Sequence, residues 1–325
     1  MPKEAAFRGV AVRLIAILLL ASMGGLLYAY LLSIPGWIAA PLIAAFSLEA
    51  VLYATACWET ARRMVERRLQ GPALAASMAL SGVLPYVIYA APTGMFRWTA
   101  LGEVAALAAL VSFWYVALER RPAVSLAFMA LVAAALLAGV FHPIYGQPAP
   151  RLKVGILGEL MWTRLAVMGV LSIARIEVKG FGFLPARKEW AAGFTNYLLF
   201  LPVGAALGWL LKFAEFHPRP LEWWQTLGLA LLTFLGMLWV VALREEFFFR
   251  GMLQEWFDSR TGLVAVSVVF GLVHLPYREF PNWRFAILAA VAGLFYGRAY
   301  LGARSARAAM VTHALVNTTW KMFFS

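Results

Sequence analysis

Charge is what this chain has least of. Asp, Glu, Lys and Arg make up 14% of its 325 residues, against 63% hydrophobic. Soluble domains carry about 25% charged and about 45–50% apolar residues, so this balance excludes an ordinary soluble domain. Cysteine is nearly absent: Cys57 alone excludes an internal disulfide framework and a Cys-rich metal site, and reads as a small apolar residue within a helix. The alternating ten-residue segments of an outer-membrane barrel are missing. No Lys/Arg run is interleaved with aromatics, so the net charge of +12 does not mark a nucleic-acid surface. It fits basic loops on the cytoplasmic side of a bilayer.

The apolar residues fall in blocks of roughly 18–25, enough to cross a hydrocarbon layer as helix at about 1.5 Å per residue. Blocks near 10–33, 36–58, 72–95, 98–118, 122–141, 154–174, 191–212, 222–243, 262–276, 283–301 and 305–322 predict an all-α polytopic membrane bundle of about ten or eleven transmembrane helices. The first run continues to about Leu32, too long for a signal-peptide core, and reads as an uncleaved span. Loop charges on one side include Arg62, Arg63, Arg67, Arg68, Arg120, Arg121, Arg175, Lys179, Arg187, Lys188, Arg304 and Arg307; the opposite loops hold Arg97, Arg151, Lys153 and Arg219. That bias predicts a cytoplasmic N-terminus. The compact chain is bacterial in style, so a bacterial cytoplasmic membrane is the expected location. The Pro-rich loop 141–153 suggests a five-span N-terminal region over 1–145, its role not legible, and a second domain over 146–325. The segment 178–190 reads as an interfacial connector, with Trp190 at headgroup level.

Charges inside a span cost at least about 2.5–3.5 kcal/mol on insertion scales and face a protein interior or a wet cavity. After an apolar run come Arg244, Glu245, Glu246, three phenylalanines and Arg250. Glu246 and Arg250 are four apart with the acid first, the favourable order for a helical pair. Glu245 points about 100° away and is left for other contacts; the bland alternative is a snorkelling charge cluster. Phe270 and His274 share a helix face, and Pro276 disfavours helix at Leu275. His313 and Asn317 share another face. Alone, His274 reads as readily as a packed histidine bonded to a carbonyl as it does as a functional group, and the His313 pair as readily as an interhelical hydrogen bond. The other two, His142 and His217, precede prolines in loops and read as interfacial. An acid, two imidazoles and an amide from three helices are the parts needed to activate water and stabilise an oxyanion.

The segments "EEFFFR" (245–250), "FGLVH" (270–274) and "HALVN" (313–317) resemble the EExxxR, FxxxH and HxxxN motifs of the CPBP family, the CAAX protease and bacteriocin-processing proteins, which include the type II CAAX prenyl endopeptidases. The resemblance covers roughly residues 180–325. It implies an intramembrane endopeptidase core of about eight helices, acting on a membrane-associated peptide or protein. By position it implies Glu245 as catalytic carboxylate, His274 as its partner in activating water, and His313 and Asn317 as polarisers of the scissile carbonyl. Glu246, Arg250 and Phe270 would be supporting residues. A metal-free glutamic mechanism is the favoured expectation, with no cofactor; were zinc present, Glu245, His274 and His313 would supply the usual three ligands.

Two other classes compete. A membrane scaffold binding a protein partner would keep the same fold without proteolysis. A transporter would draw on Glu49, Glu103, Glu159 and Arg164, which also sit in or near apolar segments, and would need them along one continuous path. Nothing in the sequence sets the oligomeric state.

Overall fold

The computed structural model describes residues 2–150, 152–218, 220–257 and 260–324, with side chains from residue 8 onward. Arg151 and Arg219, counted above among the loop charges, lie outside the described residues. The helices in chain order are α1 (Pro2–Leu31), α2 (Gly36–Cys57), α3 (Glu59–Glu66), α4 (Gly71–Ala90), α5 (Trp98–Ala117), α6 (Pro122–Leu137) and α7 (Phe141–Ile144). Then come α8 (Gly155–Ile173), α9 (Arg187–Leu210), α10 (Trp223–Gln254), α11 (Arg260–Leu272), α12 (Trp283–Ala303) and α13 (Ala306–Phe323). Among the described residues there is no β-strand, only an isolated bridge between Phe216 and Phe324. The chain is an all-α, multi-pass integral membrane protein.

Eight helices are long and apolar enough to span: α1 from Arg8, α2, α4, α5, α8, α9, α10 and α12. This is fewer than the ten or eleven expected. The block at 122–141 forms a helix of 16 residues and that at 262–276 one of 13 residues. At about 1.5 Å per residue these reach roughly 24 and 20 Å, short of a hydrocarbon core about 30 Å thick. The second ends at Leu272 because Pro276 forbids its continuation. Helix α13 is long enough, with 18 residues, but Arg307, His313, Asn317 and Lys321 make it too polar. Helix α10, by contrast, does not break at Arg244. It runs unbroken for 32 residues.

By internal contacts the chain separates into two compact units, Met1–Glu177 and Val178–Ser325. Helix α8 packs with the N-terminal helices, whereas the sequence division after residue 145 had placed it with the C-terminal region. The reason is a buried ion pair. Arg164 on α8 donates from Nε to Glu49 Oε1 at 2.7 Å and from Nη2 to Glu49 Oε2 at 3.1 Å, and its Nη1 reaches Ser81 Oγ at 2.9 Å. Both side chains are essentially inaccessible. The arginine therefore binds α2 and α4 rather than Glu159, five residues before it. Glu159 lies 3.9 Å from His142, and Glu103 is exposed. The acids occupy three separate settings rather than one relay.

In the second unit, α9, α12 and α13 enclose a core of Phe200, Phe270, Ala292, Tyr296 and Ala309. The connector before α9 is a strap across this unit. The Ala306 N–H donates to Lys179 O at 2.9 Å and the Trp239 indole to Phe183 O at 3.0 Å. Gly180 has φ +62°, and a Cβ there would fall 2.0 Å from Ser305 Oγ, so glycine is required. Glu189 fastens the other end, accepting from Ser305 Oγ at 2.6 Å and Arg307 Nη2 at 2.9 Å. Trp190 is 39% exposed, as an interfacial ring would be. Just past α10, Glu255 accepts hydrogen bonds from Lys179 and Tyr300.

Two predictions follow from these ion pairs. Removing one partner of a buried pair costs about 3–5 kcal/mol, because the other charge stays buried. Arg164→Leu should therefore lower the thermal midpoint of the detergent-solubilised protein sharply, and Glu49→Leu in the same chain should recover most of the loss. At Glu255, burial raises the carboxyl, but the hydrogen bonds from Lys179 and Tyr300, with the Lys179 and Arg304 charges, outweigh it and hold it below its ordinary range. A lowered carboxyl contributes stability in full above its unfolded value and loses it as pH falls through the folded one. Lys179 is partly exposed, so the effect is small, about 1 kcal/mol at most. Glu255→Gln should flatten the part of the acid-side loss of thermal midpoint that this group contributes, in a scan from about pH 6 to 3.

Candidate active site

Helix α10 carries the two adjacent acids at a change of helical winding. Met237–Ala242 and Phe247–Gln254 are π-helical, and Leu243–Glu246 between them is α-helical. Such widened turns recur at functional sites because they re-aim side chains that a uniform helix would stack.

The two carboxylates meet different fates. Glu246 is inaccessible and turns into the protein. Its Oε2 lies 3.2 Å from Arg250 Nε, and its Oε1 lies 2.7 Å from His313 Nδ1. Arg250, also inaccessible, donates from Nη2 to Gly293 O at 2.8 Å, and its guanidinium lies 4.8 Å from the Phe270 ring centre and 5.7 Å from that of Tyr296. Position 293 must be small. A Cβ there would stand 3.2 Å from Arg250 Nη2 and 3.3 Å from Ser267 Cα. The Arg250–Glu246 contact is close but poorly directed, since Arg250 Nε and Glu246 Oε2 make no hydrogen bond to one another or to any other described residue.

Glu245 is 20% exposed, and its Oε2 lies 3.9 Å from His274 Nε2 and 3.9 Å from His313 Nε2. That oxygen is buried and meets no donor among the described residues. His274 sits in the turn that ends α11, its Nδ1 2.6 Å from Phe270 O. A carbonyl only accepts, so Nδ1 carries a proton, and Nε2 is the ring nitrogen that faces Glu245. His313 Nδ1 faces the Glu246 carboxylate, which likewise accepts, so its Nε2 also faces Glu245. The Tyr296 ring lies parallel to His313, 4.5 Å between centres and 11° between planes. Phe270 packs edge-on to the same imidazole at 5.8 Å and lies 4.6 Å from His274.

Three of the four expected catalytic side chains thus converge on one point, delivered by α10, the end of α11 and α13. Asn317 stands one turn beyond His313 on α13, half-buried, with no side-chain hydrogen bond among the described residues. Glu246, Arg250 and Phe270 form the layer beneath. Tyr296 and Gly293 belong to that layer and were not singled out in the sequence. The usable signal was Gly293, Tyr296, Gly297 and Tyr300, a small-and-aromatic stripe on one face of α12.

Glu245, His274 and His313 are also the set that zinc would need. Tetrahedral zinc ligands at about 2.0–2.1 Å from the metal stand roughly 3.4 Å apart. Both Glu245–imidazole spacings are wider than that at 3.9 Å. Among the described residues no three His, Cys, Asp or Glu side chains are grouped to hold a metal ion. A water within about 2.8 Å of each group would span such a gap.

A cavity of ≈ 710 Å³ lies in the N-terminal unit and includes none of these residues.

Residues 227–319 match the family described as type II CAAX prenyl endopeptidase Rce1-like. That stretch is similar to the CAAX protease family. All seven motif residues, Glu245 to Asn317, lie inside the matched stretch, which is less than a third of the chain. No curated protein and no solved structure matches at a significant level. The family so described is one of endopeptidases.

The Glu246–His313 bond yields a test of geometry that does not need a substrate. In ¹⁵N NMR of histidine-labelled protein, His313 should show its proton on Nδ1. Glu246→Gln, able to donate as well as accept, should alter that signal and leave the His274 signal unchanged. An unchanged His313 signal would contradict the contact.

Proposed function

We propose that the chain is an intramembrane endopeptidase that hydrolyses peptide bonds in membrane-associated peptides or proteins. The observation that carries this reading is the convergence of Glu245 Oε2 on the Nε2 atoms of both His274 and His313, each at 3.9 Å, within a family domain of endopeptidases.

In the proposed reaction Glu245 is the general base. A water held between Glu245 and His274 passes a proton to the carboxylate as its oxygen attacks the scissile carbonyl carbon. The carbonyl π electrons move to oxygen, giving a tetrahedral oxyanion. His313, turned by Glu246 and stacked on Tyr296, carries a proton on each ring nitrogen in this step and donates from Nε2 to the developing charge, with the Asn317 amide, one helical turn away, as a second donor. Donors preset toward an oxyanion are among the largest single contributions to catalysis. The proton on Glu245 then passes to the leaving nitrogen as the C–N bond breaks.

The two imidazoles divide the work according to their supports. His274 rests on a neutral carbonyl, suited to orienting water. His313 rests on a carboxylate, which stabilises positive charge on the ring as it shares a proton with the oxyanion. This is the logic by which a buried acid assists a catalytic histidine elsewhere. The mechanism needs no metal ion.

Loss of a general base costs about 10²–10⁴-fold and loss of an oxyanion donor about 10²–10³-fold. In proteoliposomes supplied with candidate membrane-anchored peptides and followed by mass spectrometry, Glu245→Gln should cut cleavage at least 100-fold. Asn317→Ala should cut kcat with little change in KM, and dialysis against a zinc chelator should leave the rate intact. Wild-type turnover in Glu245→Gln would overturn the proposal and leave a partner-binding membrane scaffold. Chelator inactivation reversed by zinc would overturn the metal-free route.

A further inference from the structure

The N-terminal unit has a feature that proteolysis does not use. Helix α1 is a peripheral span, with few of its residues buried. It meets α2 closely at Gly25, where a Cβ would come within 2.9 Å of Ile43 Cγ1. Beside that contact the helices leave a cleft of ≈ 710 Å³, bounded by α1, α2 and the start of α8. Its wall is formed by Gly24, Tyr28, Leu42, Phe46 and Leu160, with Lys153 at its rim. Gly24 opens the cleft: a Cβ there meets nothing within 4 Å.

The cleft has a direction. The end of α1, the start of α2 and the start of α8 share one end of the unit, because Glu49 lies well along α2 and pairs with Arg164, well along α8. Tyr28, Ile34 and Lys153 mark that end, and Ala50 and Leu160 mark the deep end. From Ala39 to Ala50 the lining on α2 covers 11 residue steps, roughly 16 Å of helix. That is about half of a hydrocarbon core some 30 Å thick, the depth of one leaflet.

Water is a poor occupant, because an ordered water needs two to four polar partners and the walls below the rim are apolar. A hydrocarbon chain suits them, and the volume falls within the roughly 300–1,000 Å³ of ligand sites. At the rim the Lys153 side chain is exposed and has no ion-pair partner among the described residues. A cation at the mouth of a one-leaflet apolar cleft complements a phosphate followed by an acyl chain. We propose that this cleft binds an anionic phospholipid of the surrounding bilayer, one acyl chain along α2 and the phosphate on Lys153.

The test offers delipidated full-length protein equal amounts of dioleoyl phosphatidylglycerol and dioleoyl phosphatidylcholine in detergent, and counts retained lipid by native mass spectrometry. One basic residue near a membrane surface contributes about 1 kcal/mol toward anionic lipid, so wild type should retain the anionic lipid about fivefold over the zwitterionic one. Lys153→Glu should abolish the preference and Lys153→Arg should keep it. Gly24→Leu, whose Cβ has open space within 4 Å, puts a bulky side chain at the cleft wall and should lower retention of both lipids. Adducts on other cations appear equally in all variants and are removed by subtracting the retention of Lys153→Glu from that of wild type before the preference is taken. Equal retention of the two lipids by wild type, an undiminished preference in Lys153→Glu, or full retention in Gly24→Leu with unchanged helix content would overturn the assignment.

Discussion

The carboxylate of Glu246 is the interaction on which the C-terminal unit depends. It is inaccessible, and it lies within 3.2 Å of a guanidinium and 2.7 Å of an imidazole. Through His313 it ties α10 to α13; through Arg250, which donates to Gly293 O, it ties α10 to α12. A carboxylate buried without partners would be prohibitive. Arg250 therefore makes the position tolerable, and the aromatic rings of Phe270 and Tyr296 then shield the pair. Each of these contacts also aims something. Phe270 packs on both imidazoles, and Tyr296 lies flat on His313. The geometry of the proposed site and the packing of the unit have the same cause.

Adjacent residues on a helix point about 100° apart, so only one of two neighbouring acids can enter that interior. Glu246 takes the inward position, and Glu245 is left at the edge, where its side chain keeps 20% exposure. Such division of labour requires a reliable angle between them. The short α-helical stretch Leu243–Glu246 sets it, while the π-helical turns on either side adjust how the rest of α10 meets its neighbours. That α10 continues unbroken past Arg244 fits this role, since a break there would free the angle.

The all-α class, the positions of most spans and the split between Glu245 and Glu246 were legible in the sequence, because each rests on a short-range rule: hydrophobic length, or the angle between side chains on one helix. Where length was overcounted, at 122–141 and 262–276, the apolar blocks continued beyond the helices, and Pro276 was the available warning. The placement of α8 was not legible. It depends on Arg164 meeting Glu49, 115 positions away, and no local pattern distinguishes that partner from Glu159. Tyr296 escaped for the opposite reason. An aromatic residue in an apolar helix is the commonest of core residues, and only the ring it lies against makes it part of the site.

Arg164–Glu49 and Arg250–Glu246 are both inaccessible ion pairs within membrane-grade helices, and they differ in one respect that separates structure from chemistry. Arg164 reaches both oxygens of Glu49 with directed hydrogen bonds and spends its remaining amine on Ser81. Nothing on that pair is left over, and a closed network of this kind holds helices and does little else. In the second pair Arg250 Nε and Nη1 and Glu246 Oε2 lack directed partners, and Glu245 Oε2 beside them lacks one too. Buried groups left short of hydrogen bonds are costly, and they persist where the surrounding fold imposes them. A fully satisfied carboxylate has no capacity to hold a water or take a proton. An unsatisfied one retains both, so the difference in bonding around Glu245 supports the proposed reaction at this pair of acids and an anchoring role at the other.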